Sequence, residues 1–188
     1  MANGSSAAGG PLGDLIGSAE GGKAGYDAFN RGTGASGGAA KISTMTIGEI
    51  VAAQALPQDD PNKLMAVGKY MLISATLKEA VQKLSIDPSE TFGPELQERI
   101  FRNYLIAIKR PQVKAYITGQ SDDLTAAQLA LAMEFPSVAR PDTGAPQFGG
   151  PGAKAAVTAK QTAQALGQER DRYSALGAKA WESLSTTG

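Results

Sequence analysis

L-G-D-L-I-G-S-A-E-G-G-K-A-G-Y-D-A-F-N-R-G-T, residues 12–33, is the stretch from which the fold and function of this chain are inferred. Apolar residues recur at helical spacing from Leu12 to Ala19, and Pro11 suits the first turn of a helix. Two glycines end the predicted helix directly after Glu20, and a loop-like segment with aromatic and hydrogen-bonding side chains follows. Enzymes that cleave sugar polymers hold a general acid in such surroundings. Glu20 is therefore the candidate catalytic residue.

The composition limits the chemistry that the chain can perform. Its 188 residues include 18 basic and 18 acidic side chains, and cysteine and histidine are absent. Their absence excludes disulfides, thiolate and imidazole metal ligands, and Ser-His or Cys-His catalytic pairs. The balanced charge argues against a nucleic-acid partner, and no G-x-x-x-x-G-K-S/T pattern follows a strand. We expect no metal and no cofactor, so carboxylates, lysines and tyrosines remain for acid–base chemistry.

The chain is expected to form one domain without membrane insertion. No segment reaches the ~18 consecutive apolar residues that cross a bilayer. The N-terminus M-A-N-G-S-S-A-A-G-G-P has neither the basic nor the apolar region of a secretory signal, so no signal peptide is expected. Residues 1–10 are interpreted as a flexible lead, residues 11–184 as the domain and residues 185–188 as a flexible C-terminus.

Helical periodicity dominates the rest of the sequence. Thr46 and Glu49 form a capping-box pattern, which opens a helix through about Leu56. Further helices are predicted from Ser74 or Ala75 past Leu84, over 94–109 and 111–118, from Ser121 or Asp122 to about Phe135, and over 158–184.

Strand patterns are nearly missing, and glycine-rich segments separate the helices. Residues 21–41 and 137–154 are predicted to be long loops. Only Ile42–Met45 is suited to pair with a short partner. The predicted fold class is mainly α: a bundle of short helices with at most one small β-hairpin and two long Gly-rich loops.

Five motifs carry a resemblance to a known family. They are residues 20–33, T-I-G-E-I (46–50), A-V-G-K-Y-M-L-I-S-A-T-L (66–77), F-G-P-E-L-Q-E-R-I-F (92–101) and Q-L-A-L-A-M-E-F-P-S-V-A (128–139). In order and spacing they resemble the lysozyme-like peptidoglycan-cleaving domains of bacteriophage particles and tails, which are related in layout to lytic transglycosylases and phage muramidases. The resemblance covers roughly residues 11–180 and implies a lysozyme-like arrangement of the helices.

The resemblance also implies which residues form the site. The glutamate that ends the family's first helix is the catalytic acid, and this position is Glu20 here. Substrate-binding residues are implied in two segments and in the second loop: Tyr26, Asp27, Asn30, Arg31 and Thr33; Gly68, Lys69, Tyr70 and Met71; and Phe148.

Two of these positions depart from the family's pattern. Met71 replaces a glutamine that would bond a sugar hydroxyl or acetamido group, so either the substrate contact differs or activity is weaker than in the family. A methionine can still pack against a sugar face. Phe148 keeps the ring of a tyrosine in the second loop and loses its hydroxyl.

Two schemes for bond cleavage stay open. The standard inverting and retaining schemes need a second carboxylate, for which Asp27 is nearest in sequence, although Asp27 is also interpretable as a residue that bonds its own loop. A single-glutamate scheme, assisted by the substrate's acetamido or 6-hydroxyl group, fits as well, and hydrolysis is not separated from transglycosylation. Glu134 is interpreted as the partner of a lysine or as a cap, and Trp181 as an anchor for the last helix.

Two classes of function follow from the resemblance. The first is a muramidase or lytic transglycosylase carried in a phage virion or tail, which acts on peptidoglycan glycan strands in the bacterial periplasm or cell wall; release as an endolysin fits equally. The second is a structural virion or tail protein that keeps the fold without activity. Other virion or tail proteins are a further class of expected partner.

Overall fold

A computed structural model describes residues 9–31, 41–150 and 152–179 of the chain. The protein is mainly helical with one small three-stranded antiparallel sheet, which confirms the predicted mainly α class with a small β element. The α-helices are α1 (Gly10–Glu20), α2 (Ile47–Ala55), α3 (Ser74–Leu84), α4 (Pro94–Arg99), α5 (Pro111–Ile117), α6 (Leu124–Glu134) and α7 (Ala159–Leu176). Helix α4 continues directly into a π-helical segment, Ile100–Lys109, and short 3-10 segments span Gly22–Asp27 and Ile42–Thr44.

The helix starts follow the capping signals of the sequence. The Thr46 hydroxyl accepts a hydrogen bond from Glu49 N, and the Glu49 carboxylate accepts one from Thr46 N, so the predicted capping box is confirmed. Thr158 opens α7 with the same reciprocal arrangement. Asp123 caps α6, one residue beyond the predicted positions. These local hydrogen bonds satisfy the backbone N–H groups that a helix start leaves without partners.

The end of the last helix differs from the prediction. Helix α7 ends at Leu176 rather than near Leu184, because Gly177 adopts a φ of +64° and its N–H bonds the carbonyl of Tyr173. Trp181, the predicted anchor of this helix, lies outside the described residues. Within the described ranges, no helix has both the length and the apolarity that crossing a bilayer requires.

The sheet lies elsewhere than the sequence pattern indicated. Its strands are β1 (Phe29–Asn30), β2 (Ala66–Val67) and β3 (Leu72–Ile73), with β2 antiparallel to both neighbours. The strand predicted at Ile42–Met45 is wrong, since this segment forms a 3-10 turn. Its backbone groups are used locally and by the preceding loop: Met45 N bonds the carbonyl of Ile42, and Ser43 N bonds Asp27 Oδ1.

A row of glycines on α1 decides how the β2–β3 hairpin packs. Glycines recur at every fourth position from Gly9 to Gly21, so they share one face of the helix. A Cβ at Gly13 would lie 2.8 Å from the Tyr70 hydroxyl, and one at Gly17 would overlap the Lys69 side chain. The hairpin turn can lie directly against the backbone of α1 only because these side chains are absent.

An aromatic stack joins the same hairpin to the helical core. The rings of Tyr70 and Phe101 are stacked with centroids 4.2 Å apart, and Phe101 contacts Phe135 with centroids at 6.1 Å. All three rings are buried. The hairpin, the π-helical segment and the end of α6 are thereby held around one place in the fold.

Candidate active-site cleft

A cleft of about 520 Å³ opens where α1, the β2–β3 hairpin, the π-helical segment and the end of α6 meet. Its walls combine one carboxyl at the end of α1, a charged cluster where the π-helical segment and α6 end, and apolar side chains from the hairpin, α6 and the second loop. The lining includes Glu20, Asn30, Tyr70, Met71, Ile73, Thr76, Lys109, Arg110, Met133, Glu134 and Phe148.

Glu20 borders this cleft as the last residue of α1, and its side chain is half-buried. Two donors from the second loop hold its carboxyl group. The Ser137 hydroxyl lies 2.6 Å from Glu20 Oε1, and Ser137 N lies 3.1 Å from the same oxygen. Both of these hydrogen bonds end on Oε1, and within the part of the chain that the structure describes the second oxygen, Oε2, has no partner, so it can take a proton or a ligand.

A charged cluster forms another part of the wall. Lys109 Nζ lies 2.7 Å from Glu134 Oε1, and Arg110 Nε lies 2.9 Å from Glu134 Oε2. The interpretation of Glu134 as the partner of a lysine is therefore confirmed. One carboxylate faces two cations, so the cluster carries a net positive charge. Among the residues that the structure describes, no group of three or more metal-ligating side chains is close enough to hold a metal ion.

The apolar part of the lining is unusually exposed. The side chains of Ile73, Met133 and Phe148 are 51%, 48% and 51% exposed, although large apolar residues are ordinarily covered. Met71 stands in the hairpin turn with a φ of +47°, a left-handed conformation that non-glycine residues rarely adopt. Backbone strain of this kind is concentrated at binding and catalytic sites.

Three of the predicted sugar-binding residues, Tyr26, Lys69 and Tyr70, direct their polar groups into a buried network around Glu98. Glu98 is 1% exposed, and its carboxylate accepts hydrogen bonds from the hydroxyls of Tyr26 and Tyr70, each at 2.7 Å. It also pairs with Lys69 Nζ at 2.8 Å. Burial first, and then the hydrogen bond and negative charge of Glu98, raise the pKa of both tyrosines above the ordinary value. Gln97 completes the network, since its amide oxygen accepts from Lys69 N at 2.8 Å.

The other predicted residues serve the loops around the cleft. Asp27 Oδ1 accepts a hydrogen bond from Ser43 N at 2.9 Å, which confirms the interpretation of Asp27 as a loop-bonding residue. Arg31 donates to the carbonyl of Pro61, and its guanidinium lies 5.5 Å from the centre of the Phe29 ring. Gly68 is buried in the hairpin, where its N–H bonds the carbonyl of Ala28 at 2.7 Å.

The structure thus brings part of the predicted site together. Glu20, Asn30, Tyr70, Met71 and Phe148 share the cleft, whereas Tyr26, Asp27, Arg31, Gly68 and Lys69 do not line it. Thr33 lies outside the described residues.

Sequence reasoning missed Ser137, Lys109, Arg110 and the buried Glu98. A serine after a proline in a loop carries no signal of its own. The glycines of α1 did carry a sequence signal, because their four-residue spacing indicates a helix face against which another segment can pack closely.

Comparisons of the chain with models of protein families, with curated proteins and with solved structures find no match. The resemblance to lysozyme-like domains therefore stays a prediction from sequence motifs. A function for this chain has to be argued from the chemistry of the cleft itself.

Proposed function

We propose that the protein cleaves the glycan strand of peptidoglycan, with Glu20 as the general acid. The observation that carries the proposal is the placement of Glu20. Its carboxyl group lines a cleft of about 520 Å³ and is held through one oxygen by Ser137, while the other oxygen is left for the reaction. A general acid needs such a position within reach of the bond that it protonates.

The remaining walls of the cleft suit a sugar chain. Pockets of roughly 300–1,000 Å³ with mainly apolar walls and a few polar groups are typical of small-ligand sites. Ile73, Met133 and Phe148 offer exposed apolar surface for the C–H faces of sugar rings. Asn30 and Thr76 supply polar groups that can bond hydroxyl or acetamido substituents.

The side chains favour the scheme with a single glutamate. Asp27 is engaged by Ser43 N and does not line the cleft, and the Glu134 carboxylate is neutralised by Lys109 and Arg110. Asp27 is therefore outside the cleft, and Glu134 is a charge-paired group rather than a free second carboxylate of the kind used in the standard schemes. The substrate's own acetamido or 6-hydroxyl group is then the internal assistant.

In this scheme Glu20 transfers its proton to the glycosidic oxygen as the bond from that oxygen to the anomeric carbon breaks. The Glu20 carboxylate next accepts a proton from the group that attacks the anomeric carbon. If this group is water, the product has a reducing end. If it is the 6-hydroxyl of the same sugar, the product is an anhydro sugar, and no water is consumed.

The motif resemblance supports a setting for this activity. We propose that the protein is carried in a phage virion or tail and acts locally on the cell wall. Its partners there are peptidoglycan glycan strands and neighbouring virion or tail proteins. This part of the proposal rests on the motifs in residues 11–180 and not on the geometry of the cleft.

The test compares the parent chain with two variants on purified sacculi. Glu20→Gln removes the proton and keeps the shape, and we expect it to lower the release of soluble muropeptides by about 10²- to 10⁴-fold. Glu95→Gln is the matched control, because Glu95 is an exposed carboxylate in the first turn of α4 and does not line the cleft. Circular dichroism checks the fold of all three proteins, and mass spectrometry of the products separates reducing from anhydro ends.

Three outcomes decide the proposal. Loss of release in Glu20→Gln alone supports it. Equal release by the parent and Glu20→Gln contradicts the role of Glu20. No release by any folded protein contradicts the glycosidase and favours the alternative of a structural virion or tail protein with the same fold.

A further inference from the structure

We propose that Ser137 is the positioning residue of Glu20 and stabilises the carboxylate that forms when Glu20 gives up its proton. The inference rests on the proposed function and adds a residue that belongs to none of the predicted site positions. Its basis is the double hydrogen bond from the Ser137 hydroxyl and backbone N–H to one oxygen, Glu20 Oε1, at 2.6 and 3.1 Å.

Ser137 is itself held in place by the fold. Its carbonyl oxygen accepts a hydrogen bond from Val157 N at 2.9 Å, and Val138 next to it forms a bridge with Val157. Thr158, the residue after Val157, caps α7. The Ser137 peptide is therefore bonded on one side to the catalytic carboxyl and on the other to the start of a long helix. Such support makes it a rigid donor rather than a mobile loop residue.

The geometry gives the two oxygens of Glu20 different tasks. Oε1 is occupied by the two donors of Ser137, so Oε2 is the oxygen that carries the proton toward the substrate. A glutamate side chain has three rotatable bonds, and without this attachment it would sample several directions at the end of α1. Holding a catalytic group in one direction lowers the barrier, because the orientation is already paid for in the folded state.

Charge strengthens the same contact during the reaction. Glu20 becomes a carboxylate as the proton leaves, and hydrogen bonds to a charged acceptor are stronger than those to a neutral one. Resonance spreads this charge over both oxygens of the carboxylate, and the two donors already point at one of them, Oε1. Ser137 is therefore expected to act mainly on kcat and to leave ground-state binding of the glycan unchanged.

The chain contains a matched control for this contact. Ser89 donates from its hydroxyl at 2.6 Å and from its backbone N–H at 2.8 Å to a single oxygen, Asp87 Oδ1. Both of these residues are exposed, and neither lines the cleft. Ser89→Ala removes the same kind of bond without touching the site.

The kinetic test uses the full chain and peptidoglycan fragments. Ser137→Ala is expected to lower kcat by about 10-fold or more while KM stays within about twofold of the parent. Ser137→Thr keeps a hydroxyl and should recover at least half of the parental kcat, and Ser89→Ala should match the parent. Recovery by threonine separates a hydroxyl effect from simple misfolding of the alanine variant.

An independent test detects the contact without any activity. In the ¹⁵N-labelled protein, the amide proton signal of Ser137 should move with pH as Glu20 gains its proton, and this movement should vanish in Glu20→Gln. The amide of Ser89, bonded to Asp87, serves as the internal reference and should move in both proteins.

The outcomes separate the inference from the proposed function. An active parent with a fully active Ser137→Ala overturns the inference alone. A Ser137 amide that behaves identically in the parent and in Glu20→Gln overturns it as well, whatever the activity. A folded parent that releases no product overturns the proposed function, and the catalytic role of Ser137 falls with it.

Discussion

Glu98 and Glu20 both lie close to the turn of the β2–β3 hairpin, but their surroundings differ. Glu98 lies in the interior and is 1% exposed. Its carboxylate accepts hydrogen bonds from the hydroxyls of Tyr26 and Tyr70 and pairs with the Lys69 ammonium. Glu20 lies at the cleft, where Ser137 occupies one oxygen and the other is left open. A buried carboxylate that is bonded through both oxygens is out of reach of a substrate, whereas a carboxylate at a cleft that is held through one oxygen is accessible.

The interior network is nevertheless what builds the cleft. Lys69 and Tyr70 belong to the hairpin turn that packs on the glycine face of α1, and Glu98 fixes both of their polar ends. Met71 follows directly and lines the cleft. The resemblance implied sugar contacts for Tyr26 and Lys69, but their side chains bond Glu98 and do not line the cleft. They therefore stabilise the packing that surrounds the cleft.

The largest change in the free energy of unfolding is expected for Glu98→Gln, which tests whether Glu98 has a structural role. Among the residues that the structure describes, Glu98→Gln leaves the Lys69 ammonium with the partly exposed Asp14 as its charged partner, and we expect a loss of about 3 kcal/mol or more in the free energy of unfolding. Urea unfolding followed by circular dichroism measures it. Glu20→Gln should change that free energy by less than about 1 kcal/mol. Equal losses in the two variants would contradict the assignment of a structural role to Glu98 and not to Glu20.

The next effect tests the glycine face that joins the two regions. Gly17→Ala places a Cβ against the Lys69 side chain, and overpacking of this kind costs about 1–3 kcal/mol. Gly167→Ala in α7 is the control, because nothing lies within 4 Å of its Cβ position and alanine in a helix is favoured by about 0.5–1 kcal/mol. Urea midpoints should therefore move in opposite directions. A Gly17→Ala protein as stable as the parent would contradict close packing of the hairpin on α1.

A pH series sharpens the description of the interior network. The pKa values of Tyr26 and Tyr70 are raised in the folded state by burial and by Glu98. The unfolded chain ionises its tyrosines near pH 10, so the stability that these groups contribute is complete below that pH and is lost as the pH rises above it.

We expect the urea midpoint to fall between pH 9 and pH 11. The double variant Tyr26→Phe/Tyr70→Phe should show a shallower fall than the parent. Parallel pH profiles of the two proteins would show that the phenols are not protected by the network.

The smallest effect is expected at the cleft, where Phe148→Ala tests one apolar contact to the substrate. Phe148 is 51% exposed at the cleft, so Phe148→Ala should leave the urea midpoint unchanged. Loss of one aromatic contact of about 1 kcal/mol should raise KM about fivefold with kcat nearly constant. Steady-state kinetics on peptidoglycan fragments measures this. An unchanged KM would exclude the Phe148 ring from substrate binding.

The helices were largely predictable because their signals are local. The capping boxes at Thr46 and Thr158, and the prolines that open or close helices, act within one turn of chain. The misplaced strand at Ile42–Met45 shows the limit. Strand pairing depends on a partner distant in sequence, and β2 finds its partners at Phe29–Asn30 and Leu72–Ile73.

The candidate site was predictable in part, since Glu20, Asn30, Tyr70, Met71 and Phe148 were predicted site residues and line the cleft. Glu20 was found because a helix ends there, which is a local event. Ser137 lies 117 positions along the chain from Glu20, and no pattern in F-P-S-V-A indicates that its hydroxyl meets a carboxylate. The members of the charged cluster are likewise distant in sequence, since Lys109 and Arg110 lie at the end of the π-helical segment and Glu134 at the end of α6.

The sequence by itself determined the mainly helical class, most starts of the helices and the exclusion of cysteine and histidine chemistry, and it predicted Glu20 as the candidate acid. These follow from short-range propensities and from composition. Only the tertiary structure decided which polar side chains are buried and which face the cleft. That decision depends on close packing, because the glycine face of α1 brings the hairpin near enough for Glu98 to bond Lys69 and Tyr70. Glu20, bonded to Ser137, is the carboxyl of α1 that lines the cleft.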